Sequence, residues 1–204
     1  MKYLVIFPAL ICILLVSGCA SAPTTLPPAT VTPIGMPRLD PSPTPSDSTL
    51  PLTCQVTDLN VYINKMDGYC FAYPGQFRLG DQPSDEPNVH GPAVDDSVEP
   101  IHATFGVEVT SAESNKTLRE QAEVYLKEFS AADSAAFTWS QIQVNGEEAL
   151  RVEPVPAMLA YRIVFVQHNG SLFRLMYWPV DSPEAQSDLN DLTQTTLGSF
   201  AFTK

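Results

Sequence analysis

Two sets of side chains in this chain carry donor chemistry, and a third offers flat apolar area. The first set is an acidic stretch with histidines: Asp85, Glu86, His90, Asp95, Asp96, Glu99 and His102. Neutral imidazole nitrogen and carboxylate oxygen are the donors that Zn²⁺ and Mn²⁺ accept, so His90, Asp95, Asp96 and His102 are candidate metal ligands. Their spacing matches no metal motif, and acids in a proline-rich stretch are as a rule simply solvated, so both readings stand. The second set is Cys54 and Cys70. With no Cys-x-x-Cys and no histidine close by, they read most simply as a disulfide, a redox or metal pair being the competing reading. The third set is Trp139, Tyr161, Phe165, Phe173, Tyr177 and Trp178, which can line a groove for sugars or peptides or fill the core of a sheet. Tyr161, Ile163 and Phe165 alternate along one run, and Phe173, Leu175 and Tyr177 along another, which favours core. Trp178 falls off that pattern and is the candidate ligand contact.

Recognisable catalytic machinery is absent from the sequence. There is no Gly-x-Ser-x-Gly, no His-Glu-x-x-His, no Walker loop, no dinucleotide glycine fingerprint and no EF-hand loop. No catalytic residue and no cofactor is therefore assigned. His168, beside Asn169-Gly170, reads as the shoulder of a hairpin.

The elements that position these residues follow from periodicity and turn chemistry. Val56 to Ile63 and Tyr69 to Tyr73 flank an Asp67-Gly68 turn and predict a first hairpin. Gly80 to Pro100, rich in Pro, Asp and Glu, predicts a long irregular loop. Ile101 to Thr110 alternates cleanly, with Ile101, Ala103, Phe105, Val107 and Val109 on one face and His102 on the other. Thr117-Leu118-Arg119-Glu120 has the form of a capping box, and Leu118, Ala122, Tyr125, Leu126 and Phe129 make the apolar stripe of the helix behind it. Asn145-Gly146 and Asn169-Gly170 sit between alternating runs and predict two type I′ hairpins, hence four antiparallel strands. Ser182-Pro183-Glu184 predicts a helix start with Ser182 as N-cap. Its inner face is Ala185, Leu189, Leu192 and Thr196; Gly198 can close it, and Phe200 to Phe202 return as an edge strand.

Composition bounds the partners. With 23 acidic against 11 basic residues the net charge is −12, which disfavours non-specific binding to nucleic acid or anionic lipid. Nine of the 19 prolines lie between Ala20 and Thr53, mixed with Thr and Ser. That stretch has too little apolar surface to offset its ordering entropy and predicts a disordered stalk. Fully extended at ~3.1 Å per residue it would span on the order of 100 Å. The remaining 150 or so residues suit one core and no more.

The N-terminus has one positive residue, Lys2, an apolar run from Tyr3 to Val16, and then Ser17-Gly18-Cys19. The run is shorter than the ~20 residues that cross a bilayer as a helix, and Pro8 interrupts it. This order, ending in Val16-Ser17-Gly18-Cys19, resembles the signal peptide and lipobox of bacterial lipoproteins. The resemblance implies cleavage before Cys19, a lipid on its sulfur, and a protein held to a membrane in the cell envelope on its extracytoplasmic side. The expected organisation is a signal peptide over 1–18, the lipidated cysteine and disordered linker over 19–53, and one domain over 54–204.

A second resemblance rests on Tyr62-Ile63-Asn64, Gly68-Tyr69-Cys70-Phe71-Ala72-Tyr73-Pro74, Phe77, Thr117-Leu118, Val144-Asn145-Gly146, Asn169-Gly170 and Ser199-Phe200. In type and order these look like the motifs of PsbP-like domains. That resemblance implies an α+β fold, a central antiparallel β-sheet flanked by helices on both faces, and a non-catalytic accessory role. The motifs specify fold, and no catalytic residue carries over from them. The function expected first is thus a non-enzymatic, lipid-anchored surface module that binds or helps assemble an extracytoplasmic protein partner. A surface lipoprotein binding a small ligand or divalent metal is the alternative, and an envelope hydrolase the third reading.

Overall fold

Both Asn-Gly pairs close the hairpins that organise the domain. In the structure, a computed structural model that describes residues 51–80, 86–94, 101–129 and 137–204, Asn145 and Asn169 have φ of 51° and 45°, and Gly146 and Gly170 of 83° and 79°. Two successive positive φ angles define the type I′ turn, whose twist matches that of the strands it joins. The fold is α+β.

Chain order gives β1 (Asn60–Asn64), β2 (Tyr69–Tyr73), β3 (Arg78–Leu79), β4 (Asn88–Ala93), β5 (His102–Ser111), α1 (Leu118–Leu126), β6 (Thr138–Val144), β7 (Glu147–Val155), β8 (Tyr161–His168), β9 (Ser171–Trp178), α2 (Gln186–Ser199) and β10 (Ala201–Phe202). Seven strands form one antiparallel sheet in the order β3-β4-β5-β9-β8-β7-β6. A second sheet, β1-β2-β10, carries the opening hairpin and the returning C-terminal strand. Among the described residues no helix is long and apolar enough to cross a membrane.

The large sheet buries both faces. On one, Val152, Ile163 and Phe165 pack under Ala122 and Leu126 of α1, with Leu118, Tyr125, Phe129 and Tyr161 around them. This is the stripe that the capping box predicts, and the box itself forms: the Thr117 hydroxyl accepts from the Glu120 N–H, and the Thr117 N–H donates to the Glu120 carboxylate at 2.7 Å. On the other face, Phe105, Val107, Phe173, Leu175 and Tyr177 pack against Leu189 and Leu192 of α2 and against Tyr69, Phe71, Phe200 and Phe202. Helices on both faces are thus present, but the small sheet shares the second face with α2. The two aromatic runs are core, as their alternation indicates, and they serve opposite faces.

Cys54 and Cys70 form a disulfide. It ties the 3-10 turn Leu52–Cys54 to the start of β2, where Cys70 is buried with Ala201. A loop of 16 residues closed in this way stabilises by about 3 kcal/mol through the lost entropy of the unfolded chain. The Cys54→Ser/Cys70→Ser variant should lose about that much unfolding free energy and show a correspondingly lower urea midpoint, and an unchanged unfolding free energy would contradict this role.

Three local expectations need correction. The first strand begins at Asn60, not Val56, because the disulfide and the 3-10 turn hold the preceding segment. Gly80 to Pro100 is not one loop: β4 lies inside it and pairs with β5, and β3 pairs with β4. The β4–β5 ladder shifts between His90 and Ala93, where Pro92 has no N–H to contribute. Finally, α2 starts at Gln186 rather than beside Ser182. The Ser182 hydroxyl donates to Glu184 at 3.0 Å, and an i,i+3 turn, Ala185 N–H to Ser182 O, precedes the helix. The helix also runs through Gly198 to Ser199. Its expected inner face is buried nonetheless: Ala185, Leu189, Leu192 and Thr196.

Candidate functional site

Of the expected metal ligands, β4 and β5 bring His90 and His102 together, with ring centroids 6.5 Å apart. The His102 Nδ1–H donates to the Gly91 carbonyl at 2.9 Å. The Thr104 hydroxyl donates to the His102 carbonyl at 3.1 Å, so its oxygen is left to accept from the His90 Nδ1–H at 3.2 Å. Both neutral rings thereby direct their lone pair to Nε2, which is the state a metal requires. Asp95 and Asp96 lie outside the described residues, as does Cys19. Among the described residues no group of three His, Cys, Asp or Glu side chains is arranged to hold a metal ion.

The pair has a pH consequence. Burial, and then the neighbouring His102, push the His90 pKa below the ordinary imidazole value of 6.5. Below about pH 6.5 the unfolded chain therefore binds a proton that the folded chain still refuses. This contribution to stability is complete above that pH and is lost as the pH falls toward the folded pKa. His90→Gln should flatten the dependence of the urea midpoint on pH in that window, and an unaltered slope would contradict the assignment.

Trp178 is half-buried and packs on Tyr161, with ring centroids 5.2 Å apart. It covers Gly106, where an added Cβ would stand 3.4 Å from the indole and 2.8 Å from Asn88 Oδ1. Trp139 lies under the Arg119 guanidinium, 3.3 Å above the ring centre. His168 is a hairpin shoulder with further contacts: its ring stacks on Phe202 at 4.0 Å and its Nδ1 meets Glu147 at 2.9 Å.

One polar cluster escapes sequence reasoning. Arg174 on β9 and Glu108 on β5 face each other in register, beneath α1. Arg174 Nε donates to Glu108 Oε2 at 2.8 Å, and its Nη2 pairs with Oε1, a two-point fork. Arg174 also lies 4.4 Å from the centre of the Tyr125 ring, whose hydroxyl donates to Glu108 at 3.3 Å. Burial and the Glu108 charge push the Tyr125 phenol up to about 12, so it stays protonated. Opposite charges at inward positions of two strands were the available signal, but their pairing depends on the β5–β9 register.

Among the described residues, a cleft of about 480 Å³ between the first turn of α1 and the β6–β7 hairpin has room for a ligand. Leu118 and Leu150 supply its apolar surface, and Thr117, Arg119, Gln141, Gln143 and Glu148 its polar surroundings; Ile142, in register with Ala149, packs in the core on the opposite face of the sheet. The capping box fixes the helix end and the Asn145-Gly146 turn fixes the hairpin, so both walls rest on locally specified structure. None of the residues around the cleft is paired as nucleophile and base. Its chemistry is that of contact: an apolar floor with hydrogen-bonding groups around it.

No protein-family model matches this chain, and no curated protein matches it in sequence. Among solved structures, the chain is similar to the solution structure of cyanobacterial PsbP (CyanoP) from Synechocystis sp. PCC 6803, at 14% identity and a TM-score of 0.48, over 72% of this chain and 94% of that one.

Proposed function

We propose that this protein is a lipid-anchored, non-enzymatic module of the bacterial cell envelope that binds, or helps to assemble, an extracytoplasmic protein. The observation that carries the reading is the cleft between α1 and the β6–β7 hairpin, with Leu118 and Leu150 in it and an uncharged strand along one side. Partly exposed apolar side chains rimmed by amides and a few charges are what protein-binding surfaces offer, and both leucines are half-buried. The Cys54–Cys70 disulfide fits an oxidising compartment outside the cytoplasm. Cys19 as the lipid-bearing residue, and the proline-rich stretch behind it as a spacer, would set how far from the membrane the cleft can reach.

Tagged full-length protein, solubilised in detergent, tests both parts. A specific protein should be recovered with the wild type and lost with Gln143→Arg or Leu150→Glu, while the urea midpoint of each variant shows that it still folds. Recovery of the same proteins by wild type and cleft variants would contradict the reading. Cys19→Ser should release the chain into the aqueous fraction, and wild type without lipid mass would refute the anchor.

A further inference from the structure

We infer that β6 is a pairing edge for a second copy of this chain, joining two large sheets across a two-fold axis at Gln141. β6 ends the seven-stranded sheet. Its seven residues, Thr-Trp-Ser-Gln-Ile-Gln-Val, contain no charge and no proline, and its ladder with β7 runs from Thr138 to Val144 without a register shift. Natural edge strands are usually shortened, charged, bulged or covered, because an open one templates pairing. The opposite end of the sheet shows such protection: β3 has two residues, one of them Arg78.

The hydrogen-bonding pattern of β6 is self-complementary. Val144 and Glu147 flank a two-residue turn and so form a hydrogen-bonded pair. Alternation along the strand then turns the N–H and C=O of Trp139, Gln141 and Gln143 outward. This set is symmetric about Gln141. An antiparallel second copy places Gln141 opposite Gln141 and Trp139 opposite Gln143, forming about six new backbone hydrogen bonds. Residues of one parity meet residues of the same parity, so both sheets keep their faces, as an isologous contact requires.

Charge selects the occupant. Two copies of a chain with net charge −12 repel each other across most surfaces, whereas β6 brings no charges together. The proline-rich N-terminal stretch is a poor alternative, because proline cannot donate to a ladder. Sterics permit the pairing too. α1 packs over β7 and β8, so two strand spacings on each side put the two helices roughly 20 Å apart, beyond the ~8–10 Å of packed helices. Both clefts then open on the same face of the joined sheet. This goes beyond the proposed function and does not depend on a partner being found.

Full-length chain in the cells that produce it, oxidised with copper phenanthroline, tests the pairing. Gln141→Cys should yield a disulfide-linked dimer several-fold more abundant than Met158→Cys, a control residue that is 99% exposed and reports random collision. Adding Gln143→Pro to Gln141→Cys removes one outward N–H and leaves the β6–β7 ladder intact, and it should reduce the dimer to the control level. Dimer from position 141 no greater than from 158, dimer that survives Gln143→Pro, or linkage only to a different protein would each overturn the inference. Partner capture is read separately with Leu150→Glu, at a position that lies on β7 and outside the pairing edge, so either result can fail alone.

Discussion

Replacing Phe71 with alanine should lower the stability of the domain by about 3–5 kcal/mol. Phe71 has no solvent exposure and joins the two sheets: its ring meets Phe105 of the large sheet edge-on at 5.0 Å and lies 5.3 Å from Tyr62 in its own. It is also stacked with Phe200, 6.4 Å away at 4° between planes, so its removal weakens the seat of β10 as well. Few neighbours can collapse into the cavity, because β2 is held by β1, β10 and the disulfide. Chemical denaturation of wild type and Phe71→Ala measures the difference directly. A loss below about 1 kcal/mol would mean that the small sheet is not anchored through this ring.

Glu108→Ala should cost a similar amount, about 3–5 kcal/mol, by a different mechanism. The Arg174 side chain is only 8% exposed, and without Glu108 its charge keeps, among the described residues, the Thr110 hydroxyl, at 3.3 Å, and the Tyr125 ring. Leaving a buried charge unpaired is far more costly than omitting both charges. The double variant Glu108→Leu/Arg174→Met should therefore recover most of what Glu108→Ala loses. A double variant as unstable as the single one would show that the pair contributes through something other than mutual neutralisation.

What the sequence made legible was mostly local. The two Asn-Gly turns, the Thr117–Glu120 box and the inner face of α2 are each encoded within a few neighbouring residues, and all appear where their chemistry predicts. The disulfide was also legible, as two cysteines within one hairpin's reach. Less visible was anything set by neighbours distant in the chain. Asn88–Ala93 has no apolar alternation, interrupts itself with Gly91 and Pro92, and is a strand because β5 supplies its partner. Helix α2 has the predicted start signals at Ser182, yet a tighter turn takes them up first. The Glu108–Arg174 pair spans 66 positions and exists only in the β5–β9 register. The cleft is of the same kind, since it arises where a helix end and a hairpin, each readable alone, come to lie side by side.

The most direct test of the central claim, a tethered module that holds another protein in this cleft, is site-specific photo-crosslinking in living cells. A photo-activatable side chain replacing Glu148, an exposed residue beside the cleft, should give a discrete adduct with one protein other than the chain itself. The same group at Met158 should not give that adduct, and Leu150→Glu should abolish it. No adduct from position 148, or the same adducts from 148 and 158, would contradict the account.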